Sequence, residues 1–123
     1  MTRITIISAL LAATMVTPAA AMDVATFLLK ADAVKQKGVL APLSPDYKPL
    51  MAELDEGSKA LRAERLAAQA GGARPPYCPT GKRSLGPDGI FEGFRAIPVA
   101  QRSQVQVKDA LRALYAKKYP CAS

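Results

Sequence analysis

The side chains able to do chemistry are few. The sequence holds two cysteines, ten carboxylates and no histidine. Without imidazole there is no ordinary general base near neutral pH, no His-centred triad and no His metal ligand. Two cysteines are too few for a zinc-finger site. A cysteine nucleophile needs an activating base, and the usual one is missing. Ser58-Lys59 and Ser84 leave a Ser–Lys pairing open in composition, but neither lies in a nucleophile motif. Glu53, Asp55 and Glu56 form the one close carboxylate group. Sequence neighbours diverge around a helix, so they read as a solvated face and not as a glycosidase pair. Gly86-x-x-Gly89 has no preceding strand and does not make a phosphate loop. The expectation is a non-catalytic chain that uses no metal and no cofactor.

The N-terminus reads as a leader. Arg3 supplies a positive start, Ile4 to Val16 is nearly all apolar, and Thr17-Pro18-Ala19-Ala20-Ala21 adds a breaker and an A-x-A cleavage pattern. The apolar run is shorter than the ~18 residues of a membrane span. Residues 1–21 are therefore expected to be a signal peptide, and Met22 to Ser123 a single exported domain, most simply periplasmic. Hydrophobic residues make up 50% of the sequence. That figure is inflated by the leader and by alanine, which buries little surface per residue.

Export sets the redox compartment. Two cysteines in an exported chain read most simply as one disulfide, Cys78 to Cys121. Two free thiols or an intermolecular bridge are the alternatives. The chain-entropy model assigns a loop of this length about 4 kcal/mol.

The elements that would position these groups are helical. Asp23 is placed to cap a helix whose apolar residues Val24, Phe27, Leu28, Ala31 and Val34 share one face. Gly38 is placed to end it, and Leu40 and Leu43 are expected to plug the core from the connector. A second helix is expected from an Asp46 cap to about Ala70, with Tyr47, Leu50, Met51, Leu54 and Leu61 inward and Gly57 as a weak point. Beyond Leu61 it is charged around most of its circumference. Gly71 to Gly86 is the main loop. A third helix follows a Ser84 cap, with Leu85, Ile90, Phe91 and Phe94 inward. Ser103 and Gln106 have capping-box spacing before a fourth helix, with Val107, Ala110, Leu111, Leu114 and Tyr115 inward, to about Lys118. No stretch sustains a two-residue alternation. The predicted fold is all-α: a small bundle of about four helices closed by one disulfide.

The net charge is +7. The cations are spread along the chain and aromatics are only 6%, which leaves little to stack bases. With export, this argues against nucleic acid; the spread cations read either as a solvated surface or as a site for an anionic envelope surface or an acidic protein. Pro79, Thr80, Gly81, Lys82 and Arg83 follow a half-cystine within the Gly/Pro-rich loop. A loop held at its root loses less entropy on binding, so this segment is the candidate contact with a partner; the alternative is an ordinary solvated connector.

Tyr77-Cys78-Pro79 stands before a loop and two short helices. The closing helix Ala110-Leu111-Arg112-Ala113-Leu114 leads to Tyr119-Pro120-Cys121. In this C-terminal half the chain resembles the Rap/Tai family of type VI secretion immunity proteins. The resemblance implies a small exported helical domain, often a homodimer, that binds and blocks a peptidoglycan-cleaving amidase. The chain departs from the family pattern in having no further Cys pair. Its second helix also reads Lys59-Ala60-Leu61-Arg62-Ala63-Glu64-Arg65, where members carry a glycine-containing segment. The alternative function is an envelope structural or stress protein that binds cell wall, anionic membrane or client proteins through a basic helical surface.

Overall fold

A computed structural model describes residues 21–79 and 85–122. Among these residues there are four α-helices and no strand: α1 (Val24–Lys35), α2 (Tyr47–Ala70), α3 (Pro87–Arg95) and α4 (Val107–Lys118). Two 3₁₀ turns, Gly38–Leu43 and Val99–Gln104, connect α1 to α2 and α3 to α4. No described helix is long and apolar enough to cross a membrane.

Helix α1 forms as its pattern requires. The Asp23 carboxylate accepts the Thr26 backbone N–H at 2.8 Å and the Thr26 hydroxyl at 2.8 Å. The backbone hydrogen bond from Thr26 is the chief reason the Asp23 pKa is lowered. All five apolar residues of the expected face are buried. Phe27 is fully enclosed, edge-on to Phe94 at 5.4 Å between ring centroids and stacked with Phe91 at 5.9 Å. These contacts bind α1 to α3.

The starts of α1 and α4 lie side by side. Val24 N–H donates to the Val105 carbonyl, and Val107 N–H donates to the Met22 carbonyl, each at 2.9 Å. Both helices thereby satisfy an amide that has no partner within its own first turn. This replaces the expected Ser103–Gln106 capping box. Ser103 lies in the second 3₁₀ turn, and Gln106 occupies the cap position of α4 without a side-chain cap bond.

Three other expectations are corrected. Asp46 precedes α2 in helical backbone conformation and makes no cap bond. Its carboxylate faces Lys30 at 3.4 Å instead, while Tyr47 N–H donates to the Ser44 carbonyl. Leu40 and Leu43 do not plug the core: they are 59% and 80% exposed. The connector is a short 3₁₀ turn, and Ala41 packs on the core in their place. Gly38, at φ +56°, opens that turn and not the end of α1, whose C-cap is Gln36. Helix α3 begins at Pro87 with Gly86 in the cap position. The expected cap, Ser84, lies outside the described residues.

Helix α4 is central to the packing. Its Leu111 is fully buried against α2, and Leu114 reaches α3. Both contacts depend on glycine. A Cβ at Gly57 would lie 2.8 Å from Leu111 Cδ1, and one at Gly93 would lie 2.6 Å from Leu114 Cδ1. Gly57 is thus a point of close helix approach, where the sequence suggested only a weak spot in α2. Among the described residues the hydrophobic core runs from Met22 to Tyr119.

Alanine has the better helix propensity, by about 1 kcal/mol. Even so, Gly57→Ala is expected to lower stability by about 1 kcal/mol, because fully buried Leu111 must repack to admit the methyl group. Urea denaturation of the two proteins, monitored by helical circular dichroism, measures the difference.

Candidate binding surfaces

The root of the main loop is built from aromatic and disulfide contacts. Tyr77 is buried, its ring 5.3 Å from that of Tyr115, which is 6.2 Å from that of Tyr119. The Arg65 guanidinium sits over the Tyr77 ring at 5.5 Å, an attractive cation–π geometry. The Tyr115 and Ser58 hydroxyls share a hydrogen bond of 3.1 Å. Next to Tyr77, Cys78 is bonded to Cys121, with their Cα atoms 4.8 Å apart. Cys78 N–H also donates to the Tyr119 carbonyl at 2.8 Å, and Arg74 donates to the Cys121 carbonyl at 3.2 Å. The intramolecular pairing expected from the sequence is therefore present.

Pro79 leaves this anchor exposed. Thr80, Gly81, Lys82 and Arg83 lie outside the described residues. On the far side Leu85 packs against the core just before α3. Both ends of the candidate contact segment are thus held by the domain. Sequence reasoning found the disulfide but missed the Tyr77–Tyr115–Tyr119 cluster beneath it. The i,i+4 pair Tyr115 and Tyr119, beside a tyrosine adjoining a cysteine, was the available signal.

The charged half of α2 has a defined partner. Glu64 accepts from Arg112 at 2.9 and 3.2 Å in a two-pronged pair and from Lys108 at 2.9 Å. Arg112 also donates to Asp109 at 2.6 Å. These bonds, Arg112 first, pull the Glu64 carboxyl down to about 2. The Arg112 pKa is raised, chiefly by its hydrogen bond with Glu64. This network joins α2 to α4 beyond Leu61, the last buried residue of α2.

The groups weighed for catalysis are engaged separately. Glu53 accepts the Met22 backbone N–H at 3.2 Å, whereas Asp55 binds Lys59 at 2.6 Å. The Asp55 hydrogen bond is the largest cause raising the Lys59 pKa, the opposite of what a lysine base requires. Ser58 is bonded to Tyr115 and not to Lys59. Among the described residues no group of three potential ligands is arranged to hold a metal ion.

A groove of about 520 Å³ runs between α1, α2 and α3 over Val34, Leu50, Met51 and Phe91. Asp32 and Arg95 pair on its rim at 2.5 Å, and the Arg95 guanidinium lies 5.9 Å from the centre of the Phe91 ring. Its apolar floor and mixed-charge rim suit a side chain of a partner better than a fixed anion.

Comparisons with protein-family models, curated proteins and solved structures return no match to the chain.

Two outcomes test these sites. Replacing both cysteines with serine is expected to remove about 4 kcal/mol of stability; denaturant midpoints give the difference. Glu64 titrates lower in the folded state than its ordinary 4.5. Its contribution is therefore complete above that pH and is lost as the pH falls towards about 2. At 36% side-chain exposure, solvent screening leaves about 1 kcal/mol of this. Between pH 5 and 2, Glu64→Gln should therefore lose about 1 kcal/mol less stability than the natural chain.

Proposed function

We propose that this chain is an exported, non-catalytic binding protein of the immunity type, which occludes the cleft of a cell-wall-degrading, amidase-type toxin. The observation that carries the reading is the anchored loop. Before the segment stand buried Tyr77 and the disulfide-bonded Cys78, and after it Leu85 packs on the core. A segment held this way enters a cleft with little loss of conformational entropy. Lys82 and Arg83 lie within it and complement an acidic cleft rim. The toxin class comes from the C-terminal resemblance to Rap/Tai immunity proteins, which also implies a homodimer as the working unit.

The contacts of Met22 support the export half of the reading. Met22, the residue expected to start the mature chain, gives its carbonyl to Val107 N–H and its own N–H to Glu53. Cleavage after Ala21 turns that N–H into an ammonium facing a carboxylate, which strengthens the same contact.

The test is co-expression with a toxin encoded beside this reading frame, where the neighbouring frame identifies one. Rescue of growth and a stable complex are expected. Lys82→Glu with Arg83→Glu should weaken the complex at least tenfold with helical content unchanged. Absence of both rescue and complex refutes the toxin reading. N-terminal sequencing of the cell-derived protein tests export separately: Met22 is the expected first residue, and an intact Met1 refutes cleavage.

A further inference from the structure

The geometry points to the first 3₁₀ turn, Gly38–Leu43, as a docking site for an anionic phospholipid surface. Val39, Leu40 and Leu43 are 96%, 59% and 80% exposed. Residues three apart eclipse in a 3₁₀ helix, so Leu40 and Leu43 share one edge with Val39 beside them. The inner side of this connector is held by other residues. Ala41 packs on the core, and Ser44 is buried and donates its N–H to the Ala41 carbonyl at 3.0 Å. The three aliphatic side chains are therefore not needed to hold the turn in place.

The charge in the adjoining sequence is basic, although Lys35 also borders the groove that Asp32, Asp88 and Glu92 line. Lys35 and Lys37 precede the turn and Lys48 follows it; all three are exposed and hold no ion pair among the described residues. From Ala33 to Pro45 there is no carboxylate. The two acids that flank this stretch are already occupied, Asp32 by Arg95 and Asp46 by Lys30. The patch is thus an apolar tip inside a lysine collar.

That composition selects the occupant. Protein interface cores favour aromatic residues, Met and Arg and are poor in Lys, and their hot spots are seldom Leu or Val. The tip has aliphatic side chains only, and the cations around it are lysines. Lysine is suited to a bilayer: its stem lies along the apolar boundary while the ammonium stays at the headgroups. Shallow insertion of the aliphatic side chains and attraction of lysines to anionic headgroups act at the same depth. This inference is independent of the toxin reading, which uses a different connector, between Cys78 and α3.

The experiment is co-sedimentation of the chain starting at Met22 with phosphatidylcholine vesicles, with or without phosphatidylglycerol. Binding is expected only to the anionic vesicles and should fade as salt is raised. Leu40→Gln with Leu43→Gln should weaken it at least tenfold. Lys35→Gln and Lys37→Gln should each weaken it about fivefold. Val99→Gln, at an aliphatic residue 75% exposed outside the turn, should leave it unchanged. Circular dichroism confirms that each variant keeps its helices. Equal binding to neutral vesicles, or full binding by the double leucine variant, overturns the proposal. So does sedimentation equilibrium showing a dimer that the double variant breaks, which would make a second copy the occupant. Binding to soluble polyglutamate but not to vesicles would also overturn it, in favour of an acidic protein.

Discussion

The approach of α4 to α2 through Gly57 is the constraint on which most of this domain depends. With no side chain at that position, Leu111 Cδ1 occupies the space a Cβ would need. Leu111 is fully buried as a result. The same proximity lets Glu64 on α2 take both Lys108 and Arg112, one turn apart on α4. It also sets the course of the chain beyond α4, where Tyr119 and Cys121 hold the start of the main loop. Hydrophobic contact and an ion-pair network on α4 and a covalent bond in the tail after it therefore assume the same helix spacing.

The order of these contributions matters physically. The exposed ion pairs contribute little by themselves. A disulfide acts mainly on the unfolded chain. Neither defines where α4 sits; the packing of Leu111 against Gly57 and of Leu114 against Gly93 does. The salt bridges and the Cys78–Cys121 bond then hold a geometry that the glycines have made available. For a domain this small, with alanine-rich helices, closing the ends covalently offsets a limited apolar area.

The residues most legible in the sequence were those governed by local periodicity or simple arithmetic. Asp23 and the face from Val24 to Val34 could be read because capping and helical spacing are local properties. The two cysteines could be paired because no third was present. The misreadings have a different physical character. Gly57 looked unfavourable because propensity describes an isolated helix, whereas its value lies in what a distant helix brings to it. The Ser103–Gln106 spacing suggested a cap, but backbone bonding between the α1 and α4 starts met the same need. The charged half of α2 shows no partner in the local sequence because those of Glu64 lie more than forty positions away. Hydrophobicity alone points Leu40 and Leu43 to the core, but a short 3₁₀ connector has only one inward side.

The misplacement of the two leucines bears on how the domain divides its work. In a small fold a large aliphatic side chain left in water gives up the stabilisation that burial would supply. The connector could have been filled with polar residues at no loss to the core, because Ala41 and Ser44 already make its inward contacts. Leu43 is followed directly by buried Ser44, so a shift of one residue would exchange an exposed apolar group for a buried polar one. The backbone bonds Ser44 N–H to Ala41 and Tyr47 N–H to Ser44 fix that register at the entry to α2. Exposure of these leucines is therefore set by the way α2 begins and not by loose packing. It places an apolar edge and a lysine collar on a part of the surface whose position is fixed by the fold.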